Sequence, residues 1–127
     1  MNIGMVSVFV NNPMEAFKFY TEVLGFIPKL HVPEMYLAIV ASAEQPDGTQ
    51  LLLEPNNNPI AKNYQQALYQ AGLPPMVFGT KDIQQEYQRL KAKGVVFRGE
   101  PKQTDFGWDV LFEDTCGNLL QLHQAPA

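Results

Sequence analysis

The amino-acid sequence predicts an α+β fold in which two βαβββ modules in tandem form a curled mixed sheet around a central cavity. One strand, one helix and three strands are predicted in the first half, and the same order returns in the second. Equivalent positions lie about 70 residues apart, so that Phe17 matches Tyr87 and Tyr20 matches Leu90. A four-stranded sheet with a helix on one face must cover its other face, and a second copy of the unit can do so.

The first module is predicted to span residues 1–55. In its first strand Val6, Val8 and Val10 alternate with a second set of side chains, which gives the strand two distinct faces. Asn12 offers a cap for the helix that follows, and Gly25 ends that helix. The predicted elements are a strand at 3–10, a helix at 13–24, and strands near 26–32, 36–41 and 49–54.

A connecting helix is predicted at residues 59–73, because apolar residues recur at helical spacing before Gly72. The second module then spans residues 75–127. Asp82 caps its helix, and Gly117 supplies a positive φ in the turn between its last two strands. Its predicted strands lie at 76–80, near 95–98, at 108–113 and at 119–124.

The composition predicts one soluble globular domain covering residues 1–127. Hydrophobic residues make up 46% of the chain, charged residues 17%, and the net charge is -4. Since the chain has no basic stripe, nucleic acid is not an expected partner. The apolar runs are much shorter than the ~20 residues of a membrane span, so no membrane association is expected. A single cysteine, Cys116, and the absence of a leader pattern predict a cytoplasmic location.

Three segments carry a resemblance to a known family. They are residues 8–26, with Phe19-Tyr20 and Leu24-Gly25-Phe26; residues 82–95; and residues 114–121, with Gly117-Asn118-Leu119. In their order and repetition they resemble the vicinal oxygen chelate superfamily, which includes glyoxalase I, extradiol dioxygenases and bleomycin-resistance proteins. The resemblance covers essentially the whole chain and implies the glyoxalase/bleomycin-resistance fold. It also implies a homodimer, because members commonly pair their domains around a twofold axis.

The resemblance further implies a way to test for a metal site. Metal-dependent members hold a divalent ion with one side chain, typically His, from the first strand of each half and one, typically Glu, from the last. The corresponding residues here are Met5, Leu52, Pro75 and Gln121. Only Gln121 can offer an oxygen ligand, since leucine and proline have no donor atom and a thioether suits hard ions poorly. We therefore expect the fold without the metal site, and no cofactor.

Two residues leave an alternative open. Glu54 and His123 occupy equivalent positions, 69 residues apart, on the faces of their strands that carry Leu52 and Gln121. They are candidates, with Gln121, for acid–base catalysis, or for ligands of a displaced divalent metal. They could equally be polar ends of strands that meet solvent. His31 is expected to be a surface histidine, and Cys116 a turn residue rather than a nucleophile.

The strand faces opposite the helices are predicted to line the cavity and bind a small molecule. Trp108 is included as a possible aromatic wall, although it could instead belong to the core. The predicted function is small-molecule binding without a metal. The alternatives are a lyase, isomerase or dioxygenase, and a structural or regulatory dimer with a filled cavity. The predicted ligand-binding residues are Met5, Ser7, Phe9, Leu52, Glu54, Val77, Trp108, Gln121 and His123.

Overall fold

Eight strands form two four-stranded mixed sheets in the computed structural model, which describes all residues, Met1–Ala127. The first sheet has the order β1-β4-β3-β2 and the second the order β5-β8-β7-β6, so the two halves share one topology. The predicted α+β fold of two tandem βαβββ modules is confirmed. The strands are β1 (Met5–Val10), β2 (Ile27–Val32), β3 (Leu37–Ala41), β4 (Gln50–Pro55), β5 (Val77–Gly79), β6 (Lys102–Thr104), β7 (Gly107–Glu113) and β8 (Leu119–Gln124). The helices are α1 (Pro13–Lys18), α2 (Pro59–Ala71) and α3 (Ile83–Ala92).

The chain divides into two compact units, Met1–Gln66 and Ala67–Ala127. The first unit contains the whole first sheet with α1, and the second contains the whole second sheet with α3. The division falls inside α2, which is the helix predicted to connect the modules. None of the helices is long and apolar enough to cross a bilayer.

The first sheet buries one face against α1. Its parallel pair, β1 and β4, places Val8 opposite Leu53, and both side chains are buried, as is Val10. The alternate residues of β1 lie on the other face and are more exposed. The alternation in the sequence therefore predicted correctly which side of this strand packs on its helix.

Both predicted helix caps are present. The Asn12 side chain accepts hydrogen bonds from the backbone N–H groups of Met14 and Glu15, at 3.0 and 3.3 Å. Asp82 accepts one from Gln85, at 3.1 Å. Each bond satisfies a backbone donor that the first turn of a helix leaves unpaired. After α1 the chain continues as a π-helical turn, Phe19–Val23, and Gly25 then leaves it with a φ of 91°.

The second sheet packs its buried face on α3. Ile83, Tyr87 and Leu90 form the apolar stripe of that helix, and Leu120 and Leu122 of β8 are buried beneath it. This is the face that helical spacing predicts for α3.

The strand predicted near residues 95–98 is wrong. That segment makes a single bridge, from Phe97 to Phe112, with one backbone hydrogen bond on either side of it. Gly99 then adopts a φ of 106°, a left-handed conformation that turns the chain away from β7. Pro101 has no backbone N–H to extend the ladder. The edge strand therefore starts again only at Lys102, as the short β6.

The turn between β7 and β8 is organised by a buried aspartate. Asp114 is fully buried and accepts hydrogen bonds from the backbone N–H of Cys116 (2.7 Å), the backbone N–H of Asn118 (3.0 Å) and the Asn118 side chain (2.8 Å). Gly117 has a φ of 100°, which confirms the predicted positive value. The turn sets where β7 and β8 begin to pair.

Candidate functional site

The face of the second sheet opposite α3, called the open face below, brings three polar side chains together. Gln121 and His123 alternate with the buried leucines of β8, so both point away from the helix. Strand register places Asp109 of β7 directly opposite His123, and Val77 of β5 opposite Gln121. Two of the predicted site residues, Gln121 and His123, therefore lie next to an aspartate that the sequence did not single out.

Asp109 accepts two hydrogen bonds on one oxygen. Its Oδ1 receives the Nε2 of Gln121 at 2.5 Å and the Nδ1 of His123 at 2.7 Å. An ionised carboxylate only accepts, so the histidine carries a hydrogen on Nδ1; in the neutral ring Nε2 then keeps a lone pair. Gln121 likewise donates through its amide nitrogen, which leaves Oε1 as an acceptor. The Oδ2 of Asp109 receives no hydrogen bond from the protein.

A cavity of about 380 Å³ opens beside this cluster. Asp109 and Gln121 line it together with the apolar side chains of Pro74 and Leu111 and with Val110, whose side chain lies on the buried face of β7. The volume lies within the range of ligand pockets, and the mixture of an apolar wall with a few polar atoms is typical of them. The second-sheet cavity, as it is called below, is completed by Arg98, Glu100, Lys102 and Thr104.

One rim of the second-sheet cavity is fixed by an ion pair. Arg98 contacts Glu113 with Nη2 to Oε2 at 2.9 Å, and its guanidinium lies 5.7 Å from the centre of the Tyr69 ring. The hydroxyl of Tyr69 donates to Glu113 at 2.6 Å. This hydrogen bond to a carboxylate raises the pKa of Tyr69 above its ordinary value, with partial burial and the charge of Glu113 acting in the same direction and Arg98 opposing them.

In the first module the predicted site residues share the face of the sheet opposite α1. Register pairs Ser7 with Leu52 and Phe9 with Glu54, so their side chains point the same way, and alternation puts Met5 with them. Phe9, Leu52 and Glu54 are half-buried. This face is largely apolar, with Glu54 at its end.

Three other residues considered from the sequence lie elsewhere. Trp108 lies on the same face of β7 as the buried Val110, whereas Asp109 lies on the other face. Trp108 does not line the second-sheet cavity. His31 stacks on Phe17 of α1, with ring centroids 4.2 Å apart, which puts it on the helix side of its sheet. Cys116 is buried in the turn whose backbone Asp114 holds.

The residues at the inherited metal positions do not fit a metal ion. Met5 and Leu52 offer a thioether and a hydrocarbon, and Pro75 has no side-chain donor. Gln121 could offer only its Oε1, because its amide nitrogen is bonded to Asp109. Elsewhere, no three side chains of His, Cys, Asp or Glu come together as a ligand set.

Comparison with known proteins identifies the family. The model of the Glyoxalase/Bleomycin resistance protein/Dioxygenase superfamily matches residues 2–122. The chain belongs to this superfamily. A relative in Bacillus subtilis (strain 168), the uncharacterized protein YurT, is 48% identical to this superfamily member over 127 residues, covering 98% of this chain and 99% of YurT.

Solved structures agree with the fold. The crystal structure of UcmS2 is 24% identical, with a TM-score of 0.80 and 97% of each chain covered. TnmS3 from Streptomyces sp. CB03234, described as an antibiotic binding protein, is 25% identical with a TM-score of 0.75, covering 99% of this chain and 97% of its own. A protein of closely similar fold is thus described as binding an antibiotic.

The sequence pattern could have predicted the position of Asp109, although the family resemblance did not point to this residue. In residues 107–113 the buried side chains alternate with Asp109, Leu111 and Glu113, so a period-two reading puts this aspartate on the open face. A carboxylate in the middle of a strand, on a face already holding His123 and Gln121, is a candidate partner for both.

Proposed function

We propose that this superfamily member binds a small molecule without a metal ion, and that the second-sheet cavity is part of its ligand site. The observation that carries the proposal is the presence of unpaired polar atoms at a cavity with a partly apolar wall. Asp109 and Gln121 both line the cavity, and Asp109 Oδ2 and Gln121 Oε1 accept no hydrogen bond from the protein. A ligand that pairs with these atoms gains specificity, while Pro74 and Leu111 supply apolar contact.

The relatives support binding as the activity. TnmS3 is described as an antibiotic binding protein, and the family name includes bleomycin resistance. We propose that this chain sequesters its ligand in the same general way. A homodimer in the cytoplasm is the assembly and location proposed with it. Light scattering on a size-exclusion column tests the assembly: a mass near 29 kDa, about twice the 14.3 kDa chain, is expected.

A thermal-shift screen with antibiotics and metabolites tests ligand binding. A ligand that binds only the folded chain raises the melting temperature by an amount that grows with the logarithm of its excess over Kd. The matched variant is Leu111→Trp, which fills the second-sheet cavity and should abolish the rise. Leu30→Trp makes the same change on an exposed strand of the first sheet and should keep it. Equal rises in both variants would place the ligand elsewhere and contradict the proposal.

Absence of a resident metal is part of the proposal and is tested separately. Elemental analysis of protein purified without chelators or metal-affinity steps is expected to find no stoichiometric zinc, nickel, iron or manganese. One metal ion per chain would overturn the metal-free proposal.

The pair of Asp109 and His123 favours a second candidate, an enzyme using acid–base chemistry. Asp109 fixes the imidazole with its Nδ1 at 2.7 Å, and the lone pair left on Nε2 can accept a proton from a bound substrate. A lyase, isomerase or dioxygenase with His123 and Gln121 in its site would use such a group. Mass spectrometry of a screened ligand after prolonged incubation separates the two candidates, because a binding protein returns it unchanged. Conversion that is lost in His123→Gln would establish the enzyme.

A further inference from the structure

We infer that the second-sheet cavity selects ligands that carry a protonated amine or another cation, with Asp109 as the residue that recognises the charge. This inference rests on the proposed ligand-binding function and adds to it the chemical class of the ligand. It follows from the charged side chains that line the cavity and from the hydrogen bonds that the lining residues make within the protein.

The positive charge of Arg98 is already matched. Its guanidinium is paired with the Glu113 carboxylate at 2.9 Å and also approaches the hydroxyl of Tyr69 at 3.3 Å. A guanidinium held in this way is a weak attractor for a second anion, because its field is largely cancelled by the carboxylate beside it.

The remaining charges at the cavity are two carboxylates and one ammonium. Glu100 and Asp109 line it without an ion pair to any lysine or arginine, and Lys102 lines it without a carboxylate partner. The cavity therefore holds one excess negative charge. His123 does not change this balance while it is neutral, since it then only donates to Asp109.

The unpaired hydrogen-bonding atoms at the floor are acceptors. Asp109 accepts hydrogen bonds from Gln121 and His123 on Oδ1, and its Oδ2 accepts none from the protein. Gln121 donates through its amide nitrogen, and its Oε1 accepts no hydrogen bond from the protein. A ligand must therefore bring donors to this floor, and an anion that brings only acceptors would leave these oxygens unpaired. An ammonium group supplies up to three donors together with the complementary charge.

Three small probes of similar size distinguish the ligand classes: benzylamine, benzyl alcohol and benzoate. Each is titrated into ¹⁵N-labelled protein at neutral pH and millimolar concentration, and amide shifts are recorded in two-dimensional NMR spectra. Benzylamine is expected to shift the amides of Asp109, Leu111 and Gln121 and the side-chain NH₂ of Gln121. Benzyl alcohol should bind more weakly, and benzoate should not shift these signals.

Variants identify the residue responsible. Asp109→Asn should weaken benzylamine binding at least about tenfold, because it removes the charge from a hydrogen bond at the floor. Glu15→Gln removes the same charge from an exposed position on α1 and should leave the affinity unchanged. Lys102→Gln removes the cation that opposes the ligand and should tighten binding about two- to threefold. Because Lys102 is exposed on an edge strand, this variant tests the inference even if Asp109→Asn does not fold.

The outcomes distinguish a failure of the proposed cation selectivity from a failure of the proposed ligand binding. Benzoate or benzyl alcohol binding as well as benzylamine at these amides would overturn selection for a cation and leave ligand binding in place. No shifts with any of the three probes would overturn both. An unchanged or weaker affinity in Lys102→Gln would also count against the inference.

Discussion

Replacing Asp114 by alanine should destabilise the chain more than any surface carboxylate substitution. The side chain is fully buried and accepts three hydrogen bonds, at 2.7, 3.0 and 2.8 Å. A hydrogen bond to a charged group contributes about 1.5–3 kcal/mol, and bonds that share one carboxylate do not add fully. Alanine would also remove the acceptor of three buried donors. A loss of about 3–5 kcal/mol in the free energy of unfolding is expected, a large part of the ~5–15 kcal/mol typical of a domain.

Urea unfolding measures this loss with two signals. Trp108, the single tryptophan, reports on β7 by fluorescence, and far-ultraviolet circular dichroism reports on the whole chain. With a slope of about 2 kcal/mol per molar urea, the midpoint should fall by about 2 M. Asp114→Asn keeps one acceptor oxygen and should lose less. Asp105→Ala, an exposed aspartate in the turn between β6 and β7, should stay within about 0.5 kcal/mol of the wild type. A loss below about 1 kcal/mol in Asp114→Ala would refute the role given to this turn.

Two further predictions concern titration and tautomers. The raised pKa of Tyr69 means that its contribution to stability is present below pH ~10 and is lost as pH rises through the higher folded-state value. The tyrosinate absorbance of wild type minus that of Tyr69→Phe, plotted against pH, should therefore show the ionisation of one tyrosine with its midpoint above pH 10. A midpoint at or below pH 10 would contradict it. For His123, long-range ¹H–¹⁵N spectra at a pH where the ring is neutral should show the hydrogen on Nδ1, because Asp109 can only accept it. Asp109→Leu removes that acceptor, and the population should move toward the Nε2 tautomer that free imidazole prefers; a wild-type ring already in the Nε2 form would contradict the assigned hydrogen bond.

The fold could be predicted from the sequence because its signals are local and occur twice. The caps at Asn12 and Asp82 and the positive φ at Gly117 each depend on one or two neighbouring residues. Repetition then distinguishes a shared topology from chance similarity. The strand predicted near residues 95–98 was wrong because its length depends on Gly99 and Pro101, which interrupt the pairing to β7. Strand-like composition alone does not report where a ladder stops.

The candidate site was predicted less completely, because its central contacts depend on strand register. His123 and Gln121 could be named from their positions, but Asp109 joins them only through the antiparallel pairing of β7 with β8. That register is set by the turn at Asp114, and sequence spacing does not show which residues a turn places opposite each other. Trp108 illustrates the same point, since a shift of one residue along β7 separates the open face from the buried one.

The repeated fold carries different chemistry in its two sheets. Glu54 and His123 are equivalent in the repeat, yet Glu54 lies beside Phe9 in the register of its sheet, whereas His123 lies between Gly79 and Asp109. Leu52 and Gln121 differ in their own side chains, since each has an aliphatic residue opposite it, Ile39 and Leu111 respectively. Glycine at position 79 adds no side chain over His123 and has open space around it. The first sheet therefore offers mainly apolar contact, and hydrogen-bonding specificity is concentrated in the second. On this argument, substitutions at Asp109 should change the preference among ligands of different charge.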